Sequence, residues 1–380
     1  MSVHAHWFLP TSGDSRNLDA AAVSAKESPH LQPAAQRPPS IGYLAQIAAA
    51  AEQLGYEAVL TPTGTWCEDA WLTTAALLRE TTRLRFLVAF RPGFLSPTLA
   101  AQMAATYQRI SGGRLLLNVV SGGDADEQQR FGDWLNHDAR YRRTEEFLQV
   151  VRGVWTGRPV NYDGEHYAVR GATLRERPDP TPPIFFGGAS PAAELVAARQ
   201  ADVYLLWGEP PAAVAERLDR MRALAKDQDR ELQFGIRLHV ITRDTAGAAW
   251  AVADELLAQL DPAAIAAAQR RFAGTESIGQ QRMAALHRGS LDALEISPNL
   301  WAGFGLVRGG AGTALVGSHA EVADRIAEYH DLGIEHVILS GHPHLEEAYW
   351  FAEGVLPLLR RRGLLAPAPA PAPIPGPIQT

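Results

Sequence analysis

The chain has 380 residues, of which 35 are basic and 42 acidic, and its formal net charge is -7. This charge and the lack of a long basic run argue against a nucleic-acid-binding protein. Hydrophobic residues make up 46% of the chain, enough for a large core, but no apolar run is long enough to cross a bilayer. The first residues lack the features of a signal peptide, and the single cysteine, Cys67, cannot form an intrachain disulfide. We therefore expect a cytoplasmic protein without a nucleic-acid or membrane partner.

Short apolar runs alternate with longer segments of helical periodicity. The predicted strands are residues 3–9, 56–60, 84–89, 114–119, 184–186, 203–206, 233–241 and 337–340. The predicted helices are residues 41–54, 69–79, a helix that opens at Ser96-Pro97, and residues 140–155, 191–200, 211–226 and 345–360. Eight strands that alternate with helices favour parallel pairing, and hence a (β/α)8 TIM barrel with insertions over a doubly wound open sheet.

Three segments interrupt this alternation. Residues 14–40 are polar and rich in proline, which predicts a surface loop or partial lid. Residues 245–335 are too many for one helix and contain a glycine-rich run at 303–317, so we expect a functional or mobile insertion. Residues 366–380 alternate alanine and proline, which is typical of an extended, disordered tail. The prediction is one barrel domain over residues 1–365, followed by this tail.

The predicted strand at 233–241 carries the clearest chemical signal. Its alternation places Arg237 and His239 on one face and apolar residues on the other. The apolar face suits packing under the helices, so the two polar side chains would point into the barrel. A buried arginine needs an anionic partner or ligand, which favours a functional site, although a structural salt bridge inside the barrel is the alternative.

Other predicted strands also end in polar side chains, where barrels gather their catalytic groups. Asn118 and Ser121 follow the strand at 114–119, and His137 and Tyr141 lie one helical turn apart just beyond it. These side chains could bind a ligand, or they could form ordinary loop hydrogen bonds and a solvated helix face.

The segment after the strand at 184–186 combines glycines with a helix start. Gly188 permits a close backbone approach, and Ala189 precedes Ser190, a natural N-cap residue before Pro191. A helix N-terminus at the catalytic end of a barrel strand can bind phosphate, and simple helix capping is the alternative.

Two further residues are candidates by position. Cys67 lies in the loop after the strand at 56–60, although most lone cysteines are buried small hydrophobes. Arg308 lies within the glycine-rich run, which lacks the ending of a P-loop and the spacing of a dinucleotide fingerprint. A flexible glycine loop that presents one arginine suits a lid that closes over an anion, and a merely mobile loop is the alternative.

His4 and His6 form a pair on one face of the first predicted strand. With His239 they could hold a metal ion, as in the barrel amidohydrolases, but no clear further ligand accompanies them. A metal-dependent hydrolase is therefore a secondary hypothesis, and we expect no metal site.

Several longer segments carry a resemblance to a known family. They are Trp-Phe-Leu-Pro-Thr at 7–11, Pro-Thr-Gly at 62–64, Cys-Glu-Asp-Ala-Trp-Leu at 67–72, Trp-Gly-Glu-Pro-Pro at 207–211, Phe-Gly-Ile-Arg-Leu-His-Val-Ile at 234–241, Gly-Gln-Gln-Arg-Met-Ala-Ala-Leu-His at 279–287, and the segments at 294–303, 305–317 and 343–348. Together they resemble the alkanesulfonate monooxygenases of the bacterial luciferase-like flavin family, over nearly the whole chain.

The resemblance implies a two-component enzyme. A separate NAD(P)H-dependent FMN reductase would supply reduced FMN, which this protein would react with dioxygen to cleave the carbon–sulfur bond of an alkanesulfonate. The products would be an aldehyde and sulfite for sulfur assimilation. Members of the family are typically homotetramers or homodimers. A non-catalytic flavin-binding protein is the remaining alternative.

The resemblance also implies roles for particular residues. Arg237 would meet the sulfonate or peroxide charge, His239 would handle protons, Arg308 would help to close the site, and Cys67 would be a positioning or hydrogen-bonding group. FMN would be held by residues that include Asn118, Ser121, His137, Tyr141 and Ser190, with its phosphate near Gly188 and Ala189 and with Trp207 beside the site.

Two features depart from the family pattern. His342 stands where members carry an active-site tyrosine, so we expect it to be a catalytic-site residue with altered substrate range or proton handling. The loop at 14–40 is longer than is usual, which could change access to the pocket.

Overall fold

The computed structural model describes residues 2–16, 18 and 37–365. Most of the predicted loop at 14–40 and the whole predicted tail at 366–380 therefore lie outside the described residues. Within the described part of the chain, no helix has both the length and the apolar character needed to span a bilayer.

The strands of the described residues are, in chain order, β1 (His4–Phe8), β2 (Ala58–Thr61), β3 (Arg85–Phe90), β4 (Leu115–Val119), β5 (Val160–Asp163), β6 (Ala168–Ala172), β7 (Ile184–Gly187), β8 (Val203–Trp207), β9 (Gln233–Arg243), β10 (Glu295–Ser297), β11 (Leu300–Trp301), β12 (Ala314–Ser318) and β13 (His336–Ser340). The helices are α1 (Ile41–Leu54), α2 (Ala70–Leu77), α3 (Pro97–Ser111), α4 (Ala125–Arg130), α5 (His137–Trp155), α6 (Pro191–Gln200), α7 (Pro211–Lys226), α8 (Ala246–Ala258), α9 (Pro262–Ala273), α10 (Ile278–His287), α11 (His319–Leu332), α12 (His344–Gly354) and α13 (Leu356–Arg361). A short 3-10 helix spans Gly303–Leu306.

Eight of these strands close into a parallel barrel. The order is β1-β2-β3-β4-β7-β8-β9-β13, and β13 pairs again with β1. The (β/α)8 prediction is thus confirmed, and the open-sheet alternative is wrong. The helix starts follow the expected chemistry, because the hydroxyls of Ser96 and Ser190 accept the backbone N–H groups of Leu99 and Ala193.

Strand β9 is the longest strand and has two sets of neighbours. Its first half pairs with β8 and β13 and closes the barrel, whereas residues 239–243 pair with β12. Its apolar face, which includes Ile236, Leu238 and Val240, packs in the large core that also contains helix residues. The opposite face carries Arg237 and His239 towards the carboxyl end of the barrel, where β12 adds a wall.

The structure corrects three details of the sequence reading. The glycine-rich run is not a loop throughout, because Gly303–Leu306 is a buried 3-10 helix and Ala314–Ser318 is β12, and residues 307–313, which include Arg308, form the loop between them. Its glycines serve close packing: the N–H of Gly305 donates to the carbonyl of Gly312 at 2.8 Å, and a Cβ on Gly312 would lie 2.6 Å from the Cα of Gly305. The predicted helix at 345–360 is divided into α12 and α13, and the β5–β6 hairpin was not predicted.

The amino-terminal end of the barrel holds an ion-pair cluster. Nδ1 of His4 bonds Glu57, which also accepts from Arg85 at 2.9 Å. Its hydrogen bond with Glu57 raises the pKa of His4. Burial raises the pKa of Glu57, but the hydrogen bond from His4 and the nearby positive charges outweigh burial and hold that pKa well below its usual value.

These shifts predict a pH window for stability. The lowered Glu57 pKa stabilises the fold above about pH 4.5, and the raised His4 pKa stabilises it below about pH 6.5 and loses this effect as the pH rises through the folded value. We therefore expect Glu57→Gln to cost roughly 1 kcal/mol more at about pH 5.5 than at about pH 8.5. Urea unfolding at both pH values measures the difference, and Asp163→Asn, at an exposed pair, is the control. An equal cost at both pH values would contradict the assignment.

Candidate active site

Two adjoining cavities lie at the carboxyl ends of the barrel strands. The smaller cavity has a volume of about 230 Å³ and is bordered by the ends of β4, β7 and β8 and by α10. The larger cavity has a volume of about 720 Å³ and is bordered by the loops after β1 and β2 and by the segment after the 3-10 helix. Leu60, Trp207 and Arg237 line both cavities, so the two adjoin along a common wall.

The smaller cavity gathers every residue that the sequence assigned to cofactor binding. Its lining includes Asn118, Ser121, His137, Tyr141, Gly188, Ala189, Ser190 and Trp207. These side chains come from segments up to 89 positions apart, counted from Asn118 to Trp207, and they meet because β4, β7 and β8 are neighbours in the barrel. The expectation that strand-end residues converge is met in this arrangement.

The start of α6 shapes one wall of the smaller cavity. Tyr204 donates from its hydroxyl to the carbonyl of Gly188 at 2.5 Å, which fixes the turn before the helix. A Cβ on Gly188 would lie 2.5 Å from the Cβ of Ala193, so this position requires glycine. The hydroxyl of Tyr141 bonds Ser190, and burial raises the pKa of Tyr141, so the phenol is a neutral hydrogen-bonding group. Pro191 has no N–H and Ser190 accepts from Ala193 and Glu194, so in the first turn of α6 the N–H of Ala192 and the positive end of the helix dipole remain for an anion.

Sequence reasoning missed a buried arginine in the same cavity. Arg217 is 5% exposed, and its guanidinium nitrogens lie 3.8 Å from Glu194 and 3.9 Å from Glu209. Its Nε has no hydrogen-bond partner among the described residues. A loosely paired guanidinium on the cavity wall adds positive charge close to the anion-binding helix terminus.

A signal for Arg217 was present in the sequence. The buried stripe of α7 comprises Val214, Arg217, Leu218 and Met221. An arginine on the apolar stripe of an amphipathic helix has to find a polar environment, and here it reaches the cavity. Glu209 and Arg282, which also line this cavity and bond each other at 2.8 Å, gave no comparable signal.

The larger cavity is bordered by Arg237, which is 8% exposed, and by Arg308, which is partly buried. In the described part of the chain, neither Arg237 nor Arg308 forms an ion pair with an acidic residue; their guanidinium carbons lie 4.9 Å and 5.7 Å from the ring centre of Phe8. Burial and the charge of Arg308 lower the pKa of Arg237, and burial lowers the pKa of Arg308 to about 10. Arg308 thus lines the wall of the larger cavity beside Arg237.

His239 lies behind Arg237 and lines neither cavity. Arg237 donates to the hydroxyl of Ser340 at 2.8 Å, and that hydroxyl meets Nδ1 of His239 at 2.7 Å. Nε2 of His239 lies 3.1 Å from the carbonyl of Ala311, which can only accept, so Nε2 carries the proton. Burial and the two arginines lower the pKa of His239, so the ring is neutral and holds Arg237 in place through Ser340.

Cys67 and His342 occupy different positions relative to the cavities. Cys67 lines neither cavity, and its thiol donates to the carbonyl of Gly64 at 3.6 Å. His342 lines the larger cavity, and its Nε2 accepts from Arg308 at 3.1 Å. The structure therefore brings Arg237, Arg308 and His342 together at the larger cavity and leaves Cys67 beside it.

The three histidines of the metal hypothesis do not converge. His4 bonds Glu57, His6 bonds His336 at 2.9 Å, and His239 bonds Ser340 near the other end of β9. Among residues 2–16, 18 and 37–365, the one group of three potential ligands is Asp14, His342 and His344. A hydrolase site built on His4, His6 and His239 is therefore incompatible with this fold.

Comparison with known proteins identifies the family. Residues 6–336 match the family described as luciferase-like monooxygenase, so the chain belongs to this family and to the oxidoreductases. Its fold is similar to that of riboflavin lyase (RcaE), solved with modified FMN and riboflavin (TM-score 0.80, 21% identity, 98% of this chain and 94% of that chain). It is also similar to long-chain alkane monooxygenase (LadA; 0.78, 19%, 96% and 93%) and to DmoA from Hyphomicrobium sulfonivorans (0.77, 21%, 98% and 91%).

The surroundings of Cys67 predict an unreactive thiol. Burial raises its pKa to about 12, so the nucleophilic thiolate is scarce at neutral pH. We expect alkylation by iodoacetamide at about pH 8 to be more than roughly 100-fold slower than that of free cysteine. Since Cys67 is the only cysteine, intact mass measured over time reads its modification directly. Reaction at the rate of free cysteine in the folded protein would contradict this environment.

Proposed function

We propose that this protein is a two-component flavin-dependent monooxygenase that converts an alkanesulfonate to an aldehyde and sulfite. Reduced FMN, supplied by a separate NAD(P)H-dependent reductase, and dioxygen are its co-substrates. The observation that carries the proposal is the pair Arg237 and Arg308, which line the larger cavity, one buried and one partly buried, and form no ion pair with a carboxylate of the described residues. Buried guanidinium groups are costly unless an anion meets them, and a sulfonate remains anionic at any physiological pH.

The smaller cavity fits the FMN phosphate. The α6 N-terminus offers the backbone N–H of Ala192 and the positive end of the helix dipole, and Gly188 keeps the approach open. Arg217 adds a cation on the same wall. The riboflavin lyase structure, which is similar in fold, contains modified FMN. When bound, reduced FMN would supply the two electrons with which dioxygen gives one oxygen atom to the substrate and one to water.

The shared wall of the two cavities explains how the reactants would meet. Trp207 and Arg237 border both cavities, so a flavin ring extending from the smaller cavity would reach the sulfonate end of the substrate. Arg237 is held from behind by Ser340 and His239, and Phe8 covers one side of both guanidinium groups. These contacts fix the positive charges before the substrate binds, which is the arrangement that orients an anion with little reorganisation.

The same charges discriminate among substrates of the family. The name of LadA indicates a long-chain alkane as the substrate of that enzyme. An alkane offers no anion to the guanidinium groups of Arg237 and Arg308. Binding an alkane here would leave both charges unpaired in a drier cavity, which is unfavourable. A sulfonate is therefore favoured over an uncharged alkane or sulfone. Short and long chains both remain within the proposal.

We expect sulfite only when reduced FMN, dioxygen and a sulfonate are all present. Arg308→Met should lower kcat/KM for sulfite release by roughly 100-fold or more, because it removes a charge-assisted contact to the sulfonate in a buried site. Sulfite is measured with a thiol-reactive disulfide reagent across straight-chain sulfonates, with a flavin reductase supplied.

Arg170→Met is the matched control for this experiment. Arg170 lies on the exposed β5–β6 hairpin, where it pairs with Asp163, so its loss should leave sulfite release within about twofold of the unchanged protein. A lack of sulfite from every sulfonate tested, in protein that binds reduced FMN, would contradict the proposed reaction.

The role of Arg217 is tested by comparing two flavins. If Arg217 meets the phosphate, Arg217→Met should weaken reduced FMN binding by roughly 10-fold or more. Riboflavin lacks the phosphate, so its affinity should change by less than about twofold. Anaerobic fluorescence titration with both flavins measures the two effects. Equal loss of affinity for FMN and for riboflavin would contradict a phosphate contact and would show that Arg217 only maintains the shape of the cavity.

A further inference from the structure

A chain of buried polar groups lies behind the larger cavity. Nδ1 of His344 lies 2.9 Å from Oδ1 of Asp14, and the backbone N–H of His344 donates to Oδ2 at 2.9 Å. The rings of His344 and His342 meet edge to face, with centres 4.8 Å apart. His342 in turn faces the cavity beside Arg308. Asp14, His344 and His342 are each at most 4% exposed, so this chain is shielded from solvent.

The two ends of the chain determine where each imidazole carries its proton. A guanidinium only donates, so Nε2 of His342 accepts from Arg308 and the proton of the neutral ring is on Nδ1. An ionised carboxylate only accepts, so Nδ1 of His344 carries a proton, and in the neutral ring Nε2 holds the lone pair. Of the four ring nitrogens of these two histidines, Nδ1 of His342 and Nε2 of His344 are the ones without a partner among the described residues. One is a donor and the other an acceptor.

These polarities favour proton transfer over metal binding. One ring nitrogen of each histidine and one oxygen of Asp14 lie within 4.8 Å of one another, and the two ring centres are 4.8 Å apart, so a small ring rotation or one water molecule can connect the two rings. A metal ion would need a lone pair on both unpartnered nitrogens. His342 cannot present one from Nδ1 while its Nε2 accepts from Arg308, because a neutral imidazole has only one such nitrogen.

The surrounding charges determine which of the two imidazole rings can carry a positive charge. The titratable and charged groups that face His342 are Arg237 and His239 from β9, Arg308, Asp14 and His344. Burial, His344 and the two arginines lower the pKa of His342, so an imidazolium there is unfavourable. His344 has the carboxylate of Asp14 directly against it. Burial raises the pKa of Asp14, but His344 and the hydroxyl of Tyr43, which donates at 2.5 Å, outweigh burial and hold that pKa well below its usual value. Arg37 lies 3.9 Å from the same carboxylate.

We propose that Asp14 and His344 form, behind His342, a proton relay that serves the larger cavity. Nε2 of His342 releases its hydrogen bond from Arg308 and accepts a proton from a reacting group in the cavity. At the same time, the proton on Nδ1 of His342 moves to Nε2 of His344. His342 ends neutral in its other tautomer, and His344 ends as an imidazolium paired with the Asp14 carboxylate. Asp14 and His344 are positioning residues, since neither touches the cavity. The use of this proton in catalysis rests on the proposed function, whereas the arrangement of the protons does not.

The arrangement is tested in the resting protein by nitrogen-15 NMR of labelled histidines. Neutral ring nitrogens with and without a proton have well-separated shifts, and the His342→Asn and His344→Asn variants assign the signals. We expect a protonated Nδ1 and an unprotonated Nε2 in both residues near neutral pH. A proton on Nε2 of either ring would overturn the relay. This measurement needs no substrate, so it stands whether or not sulfite is released.

The catalytic use of the relay is tested with Asp14→Asn, which keeps the size of the side chain but removes the charge that stabilises the imidazolium. We expect kcat to fall by roughly 10- to 100-fold with KM within about threefold, and the acid limb of the pH–rate profile to shift. The matched control is Glu347→Gln, which removes a buried carboxylate from the same helix, where it bonds Arg243. The control should keep the pH profile. An unchanged profile in Asp14→Asn, or the same shift in both variants, would overturn the catalytic role.

Discussion

The organisation of this site depends on two positive charges, one buried and one partly buried, that form no ion pair with a carboxylate of the described residues. Arg237 and Arg308 both lie near the ring of Phe8, and each has a neutral hydrogen-bonding partner, Ser340 and His342 respectively. Moving a guanidinium group out of water costs roughly several kcal/mol of free energy unless an anion pairs with it. A structural role would have placed an acid beside them. The fold instead leaves both charges facing a cavity, where a ligand can supply the anion.

The barrel topology makes this arrangement possible. Strand β9 is long enough to close the barrel with its first half and to bind β12 with its second half. At the transition, Arg237 still faces the barrel mouth and His239 lies against the wall that β12 and the 3-10 helix provide. Arg308 follows the buried 3-10 helix and precedes β12, and the contact of Gly305 with Gly312 closes the segment that carries it. Backbone pairing thus places Arg237 directly, and it places both ends of the segment that presents Arg308.

Sequence patterns predicted the barrel and much of the smaller cavity, for a physical reason. Strand ends of a parallel barrel converge on one face, so Asn118 and Ser190 could be expected there from local signals, whereas Tyr141, which lies on α5, was assigned to the site through the family resemblance. Arg217 escaped this reasoning because it reaches the cavity from a helix, where strand-end arguments do not apply. The glycine-rich run was misread because glycine indicates both flexibility and close packing, and only the neighbouring chain decides between them.

The partnership of Asp14 with His344 was beyond sequence reasoning, because it joins a residue near the amino terminus to the first residue of α12, 330 positions away. Its position nevertheless follows from the charges at the cavity. An acid placed directly beside Arg237 and Arg308 would neutralise them and weaken the binding of an anionic substrate. Without any acid in the neighbourhood, a proton released in the cavity would have no favourable site. Burial and the same arginines lower the pKa values of His239 and His342, so neither ring favours a positive charge. Placing the carboxylate behind two imidazole rings satisfies both constraints, since the arginines keep their charge for the substrate and the proton can rest beside Asp14. A histidine at position 342 suits such an arrangement, because one ring nitrogen can accept a proton on the cavity side while the other releases one on the opposite side.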